Sequence, residues 1–177
     1  MTDNKFFRVA GWVTLVSALL MLAAFVSFPL GAGMVGGVLE ILGLLGLIFV
    51  FYALNVTHRS QAKGLSLAGF ILGVAAIAVD VYAMVNNGPP FLSNLWYFLF
   101  SLPFLIFGYL AFKGTKMPRG LAVVALVAGV FFLIAGVGGF LTGPDFADNI
   151  SLIAILAMFV WQFWLWRIFL SKKFATA

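Results

Sequence analysis

An all-α, polytopic membrane protein is predicted: a six-transmembrane-helix bundle of antiparallel hairpins with N and C termini cytoplasmic. Three observations predict it. Of 177 residues, 64% are hydrophobic and only 8% are charged, whereas a soluble domain carries about 25% charged residues. Six apolar runs are each long enough to cross about 30 Å of hydrocarbon, which takes about 20 helical residues. All ten basic residues fall on one side of the topology those runs imply.

The runs are Val9–Phe28, Met34–Val56, Leu65–Val85, Phe91–Phe112, Gly120–Thr142 and Ile150–Leu170. Helix one follows Lys5 and Arg8, as a signal peptide would. Its apolar stretch is longer than the usual core of about 7–15 residues, so it reads as a signal-anchor and first span. The breaks between runs carry turn chemistry: "FPLGAG", "THRSQAKG", "NNGPP", "KGTKMPRG" and "TGPDFADN". Such short connections make neighbours antiparallel. Pro103 falls within helix four and is expected to bend it, leaving a carbonyl near Leu99 without its amide. Glycines at 129, 136, 138 and 139 in helix five read as close packing. No GxxxxGK[ST] loop occurs, and no cofactor is expected. Trp161, Trp164 and Trp166 near the end of helix six read as an interfacial aromatic belt, with Gln162 as interhelical glue. The whole chain, 1–177, reads as a single integral membrane domain.

Charge sets the orientation. Lys5 and Arg8 precede helix one. Arg59 and Lys63 lie between helices two and three, and Lys113, Lys116 and Arg119 between four and five. Arg167, Lys172 and Lys173 close helix six. The opposite loops hold no Lys or Arg, and one of them holds Asp145 and Asp148. This is the positive-inside pattern of a multi-pass protein of the cell's inner, or plasma, membrane. The net charge of +5 therefore reports orientation in a lipid bilayer, and no nucleic-acid partner is expected.

"KGLSLAGFILGVAA" from Lys63 aligns with "RGLAVVALVAGVFF" from Arg119. The match suggests two hairpins of like orientation, helices two–three and four–five. "FGYLAFKGTKMPRGLAVVALVAGV", Phe107 to Val130, resembles a recurrent pattern in uncharacterised bacterial six-helix integral membrane proteins. In these a span ends in Gly-Tyr-Leu, a short basic loop carries Pro-Arg, and a span rich in small residues follows. The resemblance implies the six-helix fold and carries no functional site.

Two acids lie inside spans, Glu40 and Asp80. A charge at the bilayer centre costs about 2.5–3.5 kcal/mol on insertion scales. Neutralising an ordinary glutamate at pH 7 costs about 3.7 kcal/mol. The near balance makes such a residue a candidate proton site. Helical spacing surrounds Glu40 with Gly33, Gly36, Gly37 and Gly43, and Asp80 with Gly69, Gly73, Ala76, Ala83 and Asn87. Small residues at that spacing mark close helix–helix contact, so both acids are expected to face inward. Each sits about 8–9 Å below the non-basic end of its span at 1.5 Å per residue. The two therefore share a layer that contains no Lys or Arg. Tyr82, Asn86, Asn87, Asn94 and Tyr97 are expected to line a vestibule above them.

With no cysteine and a single histidine, His58, thiolate chemistry and two-histidine metal or haem sites are excluded. His58 reads as a solvated loop residue on the side opposite both acids, so a Ser-His-acid set is not plausible. The leading expectation is a non-enzymatic protein. It binds a small-molecule or cation ligand in an outward-facing polar pocket at Glu40 and Asp80, with transport or proton coupling as its extension. The alternative is an accessory or assembly subunit, in which the acids serve only packing at about 0.6 kcal/mol each. There the glycine stripes would meet a homo-oligomer or membrane-complex partner.

Overall fold

The structure, a computed structural model, describes residues 3–171; Lys172 and Lys173, expected beyond helix six, lie outside the described residues. Six helices follow one another: α1 (Asp3–Ser27), α2 (Gly33–His58), α3 (Lys63–Asn86), α4 (Pro90–Lys113), α5 (Arg119–Thr142) and α6 (Pro144–Phe169). Each is long and apolar enough to cross a membrane, as a multi-pass membrane protein requires. They stop where the backbone demands it. Gly31 takes a positive φ of 76° in the first turn. Asn87 caps α3 in the left-handed region and gives its N–H to the Ala83 carbonyl. Gly143, at φ 107°, ends α5 and admits α6 directly, with Pro144 in the first helical turn.

The helices outrun the apolar stretches most at two N-terminal ends. α1 already contains Lys5 and Arg8, and α6 begins at Pro144 rather than Ile150. Asp145 and Asp148, expected in a loop, are therefore helical. Proline at the first position and Asp145 in the first turn both suit a helix N-terminus. α4 continues as one helix through the buried Pro103.

Consecutive helices pack in order, and α1 against α6 closes them into a ring. α4 also touches α2 and α6 across the centre. There Phe51, Phe100, Phe104, Phe107, Phe132 and Trp161 are almost wholly buried. Phe104 and Trp161 lie 4.8 Å apart between ring centroids, and Phe51 stacks on Phe107 at 6.1 Å. Trp161, expected in an interfacial belt, is thus a core residue, 2% exposed. In a bundle that is apolar all round, burial follows which neighbour offers a matching hole, and Phe104 does.

Glycines set the closest approaches. A methyl group on Gly136 would meet the backbone nitrogen of Phe98 at 2.5 Å, and one on Gly108 would lie 3.1 Å from that of Leu126. α4 and α5 therefore touch backbone to backbone. On α2, Gly43 faces Ser17 and Met21 of α1, and Ser17 Oγ donates to the Gly43 carbonyl at 2.7 Å. The stripe beside Glu40 is divided. Gly36 packs on Phe28, while Gly33 and Gly37 face open space.

The two turns at the basic end are tied together. Lys116 Nζ donates to the Thr57 carbonyl at 3.0 Å and to Ser60 Oγ at 3.1 Å. Gln61 Nε2 donates to the Leu110 carbonyl at 3.0 Å. His58, expected to be solvated, is 1% exposed. Its Nδ1 lies 3.2 Å from Gln61 Oε1 and its ring packs on Phe107. α2 simply continues two residues past its apolar run, to His58, and carries the imidazole under α4.

Candidate functional site

At the acidic end, helical spacing builds a cavity of about 170 Å³. α1 offers one stripe, Met21, Ala24, Phe25 and Phe28. α6 offers another, Ile155, Met158 and Phe159. Glu40 of α2 and Trp96 of α4 complete the wall. Residues three and four apart share a helix face, so both stripes converge on the cavity. Phe25 and Phe28 are 45% and 46% exposed and form its rim.

Several polar groups at this end of the bundle are under-bonded. Trp96 is 9% exposed, and its Nε1–H is buried with no hydrogen-bond partner. Asp80 Oδ2 and Gln162 Oε1 are likewise buried and unpartnered. Gln162 Nε2 reaches only the soft acceptor Met21 Sδ, at 4.0 Å. A buried polar group without a partner costs about 1–3 kcal/mol, and native structures contain few of them. Of these three, Trp96 lines the cavity, while His58 Nε2 and Trp166 Nε1 are unpartnered toward the basic end.

Asp80 of α3 lies within electrostatic range of Glu40 of α2 and of Tyr97 of α4. Tyr97 Oη donates to Asp148 Oδ1 at 3.3 Å, long for an O–H···O bond. Polar groups thus run from Glu40 on α2 to Asp148 on α6, by way of α3 and α4.

The other expected site residues divide by depth. Asn94 is buried against Gly139 of α5. Tyr97 is 9% exposed and Tyr82 is 60% exposed. Asn86 Nδ2 donates to the Tyr82 carbonyl within its own helix, and Asn87 is the α3 cap. Glu40, Asp80, Asn94 and Tyr97 are therefore drawn into the bundle, and Tyr82, Asn86 and Asn87 stand at the α3–α4 turn. Trp96, Asp148 and the stripes of α1 and α6 join the site without being expected from the sequence. Trp96 carries a signal: an indole at the depth of Glu40 rather than at a helix end. The stripes carry none, since aromatic and methionine residues at helical spacing look like any core.

The cavity's lining is one carboxyl-bearing residue, one indole, three phenylalanines and two thioethers. Hard cations such as calcium take 6–8 oxygen ligands, and this wall offers a single carboxyl. Among the described residues no group of three or more His, Cys, Asp or Glu stands where it would hold a metal ion. An organic cation suits it better. Ring faces attract ammonium groups within about 6 Å, more strongly when desolvated, and a carboxylate supplies the counter-charge. Size agrees, because an apolar protein cavity of about 150 Å³ holds benzene. Comparison with protein-family models, with curated proteins and with solved structures gives no match to this chain.

Proposed function

We propose that this chain is a multi-pass protein of the plasma membrane, with both termini cytoplasmic, that binds a small organic cation in an outward-facing intramembrane pocket. Glu40 supplies the counter-charge. Trp96, Phe25, Phe28 and Phe159 supply the faces, and the Trp96 Nε1–H takes an acceptor of the ligand or a bridging water. The observation that carries this reading is the cavity that Glu40 and Trp96 line together among aromatic walls, with the Trp96 Nε1–H buried and unpartnered. A proton and an organic cation compete for one carboxylate. Binding is therefore linked to proton release, the step that transport or proton coupling would use.

The test is thermal unfolding of the purified protein in detergent with benzyltrimethylammonium or benzylamine. A ligand at 100 times its Kd stabilises a protein by about 2.7 kcal/mol. The expected result is a rise in Tm that disappears in Glu40→Gln. Equal shifts in the two proteins would sink the reading. Orientation has its own test. A cysteine in place of Asp145 should react with an impermeant thiol reagent on intact cells, and one in place of Lys116 should not.

One observation favours a second reading, an accessory or assembly subunit. α3 is the least buried helix. Leu65, Leu67, Ile71, Tyr82 and Val85 on it are exposed, and Gly33 and Gly37 of α2 face open space. A partner span could pack there. Under that reading the protein co-purifies with a second membrane protein, and bulky substitutions at Gly37 release it.

A further inference from the structure

The opposite end of the molecule holds a second concavity, unrelated to the acids. It has a volume of about 470 Å³ and lies between α6 and the α4–α5 turn. Lys116 and Arg167 stand at it with Pro118, and Val160, Phe163 and Trp164 form its apolar side. Its polarity is graded. Arg167 lies seven residues beyond Val160, about 10 Å along the helix axis, so cations mark one end and aliphatic surface the other. Trp164 forms a wall because Gly120 leaves room for it; a methyl group there would lie 2.7 Å from the indole ring. Among the described residues no acid lines the groove; Glu40, Asp80, Asp145 and Asp148 belong to the other end of the bundle, and Asp3 begins α1 at the groove's end.

The cations are suited to an anion. Lys116 is held by bonds to the Thr57 carbonyl and Ser60 Oγ. An ammonium has three donors, so one remains beyond those two. Arg167 offers the planar fork that matches phosphate. We propose that this groove binds one anionic phospholipid, its phosphate between Lys116 and Arg167 and an acyl chain along Val160 and Phe163. The proposal rests on the chain spanning a bilayer, and it is independent of the Glu40 cavity. The cation end then lies at the headgroup level of the leaflet that carries anionic lipid, where basic residues gain most. Trp164 stands at the boundary that tryptophan favours. The groove differs from general lipid contact in pairing two cations with a shaped apolar wall.

The full-length protein in detergent micelles is titrated with phosphatidylglycerol and, separately, phosphatidylcholine of the same acyl chains. Retained lipid is counted by native mass spectrometry, and Tm is followed in parallel. One phosphatidylglycerol per chain should survive where phosphatidylcholine does not, and Tm should rise with it. Arg167→Gln should weaken retention about fivefold, the worth of one interfacial cation. Arg59→Gln, a basic residue of the same end outside the groove, should leave retention unchanged. Equal retention of the two lipids would overturn the proposal, as would an equal loss in Arg59→Gln. Inorganic phosphate at matched concentration should not raise Tm; if it does so as well as the lipid, the site takes a free anion and the proposal fails.

Discussion

The hairpins α2–α3 and α4–α5 are built to one plan and hold together by different means. A shift of 56 residues carries Lys63 onto Arg119 and Asn86 onto Thr142, so α3 and α5 have the same bounds, and α2 falls on α4 within a residue at each end. The same shift carries Glu40 onto Trp96 and Asp80 onto Gly136. Where one hairpin has carboxyls, the other has an indole and a glycine. α4 and α5 touch backbone to backbone through Gly108 and Gly136 and bury the aromatic centre. α2 and α3 share much less contact, and α3 is the least buried helix. In lipid no hydrophobic force drives helices together, and close van der Waals packing takes its place. The lesson is a division of labour. The glycine hairpin is the anchor of the bundle, and the acidic hairpin packs less closely and places one carboxyl, Glu40, at a cavity.

The largest effect should come from breaking the anchor. Gly136→Val drives a side chain into the α4 backbone at Phe98. Overpacking costs typically 1–3 kcal/mol and more when backbone must move, so about 3 kcal/mol or more of stability should be lost in thermal or denaturant unfolding. A change under about 1 kcal/mol would mean that α4 and α5 are not in backbone contact. Next comes Glu40→Gln. It should leave the unliganded Tm nearly unchanged and remove the stabilisation by an organic cation, about 2.7 kcal/mol at 100 times Kd.

The pH dependence follows from the same carboxylate. Under the proposed function the cation binds the ionised form and the proton opposes it. Below the carboxyl's own titration the apparent Kd should rise about tenfold for each unit the pH falls, and above it should be flat. Isothermal titration across pH checks this, and a Kd independent of pH over the whole stable range would rule out Glu40 as the counter-charge. Trp96→Phe keeps an aromatic face and removes the N–H together with the pyrrole ring. It should weaken binding by about 1 kcal/mol, roughly fivefold, as the loss of one hydrogen bond does.

The smallest effect tests the acidic hairpin at the counterpart of Gly136. Asp80 Oδ2 is buried without a partner, and removing an unpaired buried polar group is often neutral or stabilising. Asp80→Ala should therefore change unliganded stability by less than about 1 kcal/mol, in either direction. A loss as large as that of Gly136→Val would show that Asp80 is a structural keystone and erase the contrast between the hairpins.

Much of this architecture is legible in the amino-acid sequence. Composition and length determine six long apolar helices, because a chain with so few charges has no polar face to give water. Proline, glycine and asparagine in the breaks determine where the helices stop, because Gly31, Asn87 and Gly143 take backbone conformations that end them. The small residues around Asp80 announce its inward direction, and Gly69 and Gly73 do lie against α4 and α2. The stripe at Glu40 is legible only in part, since Gly33 and Gly37 meet nothing.

Tertiary structure alone decides which faces meet. Helices that are apolar all round carry no stripe that names an inside. Trp161 therefore reads as interfacial along the chain, yet it packs on Phe104 in the centre of the bundle. His58 reads as solvated, yet α2 carries it beneath α4. The cavity belongs to the same class of fact. Met21 and Met158 are distant in the chain, and no spacing rule brings α1 to α6 across Glu40 and Trp96. The sequence by itself determined how many helices there are, where they end and at which end the charges gather, because those follow from local backbone chemistry and solvation. Only the closure of the ring decided what the half-buried carboxyl of Glu40 faces, because in lipid that choice is made by the fit of one helix surface against another.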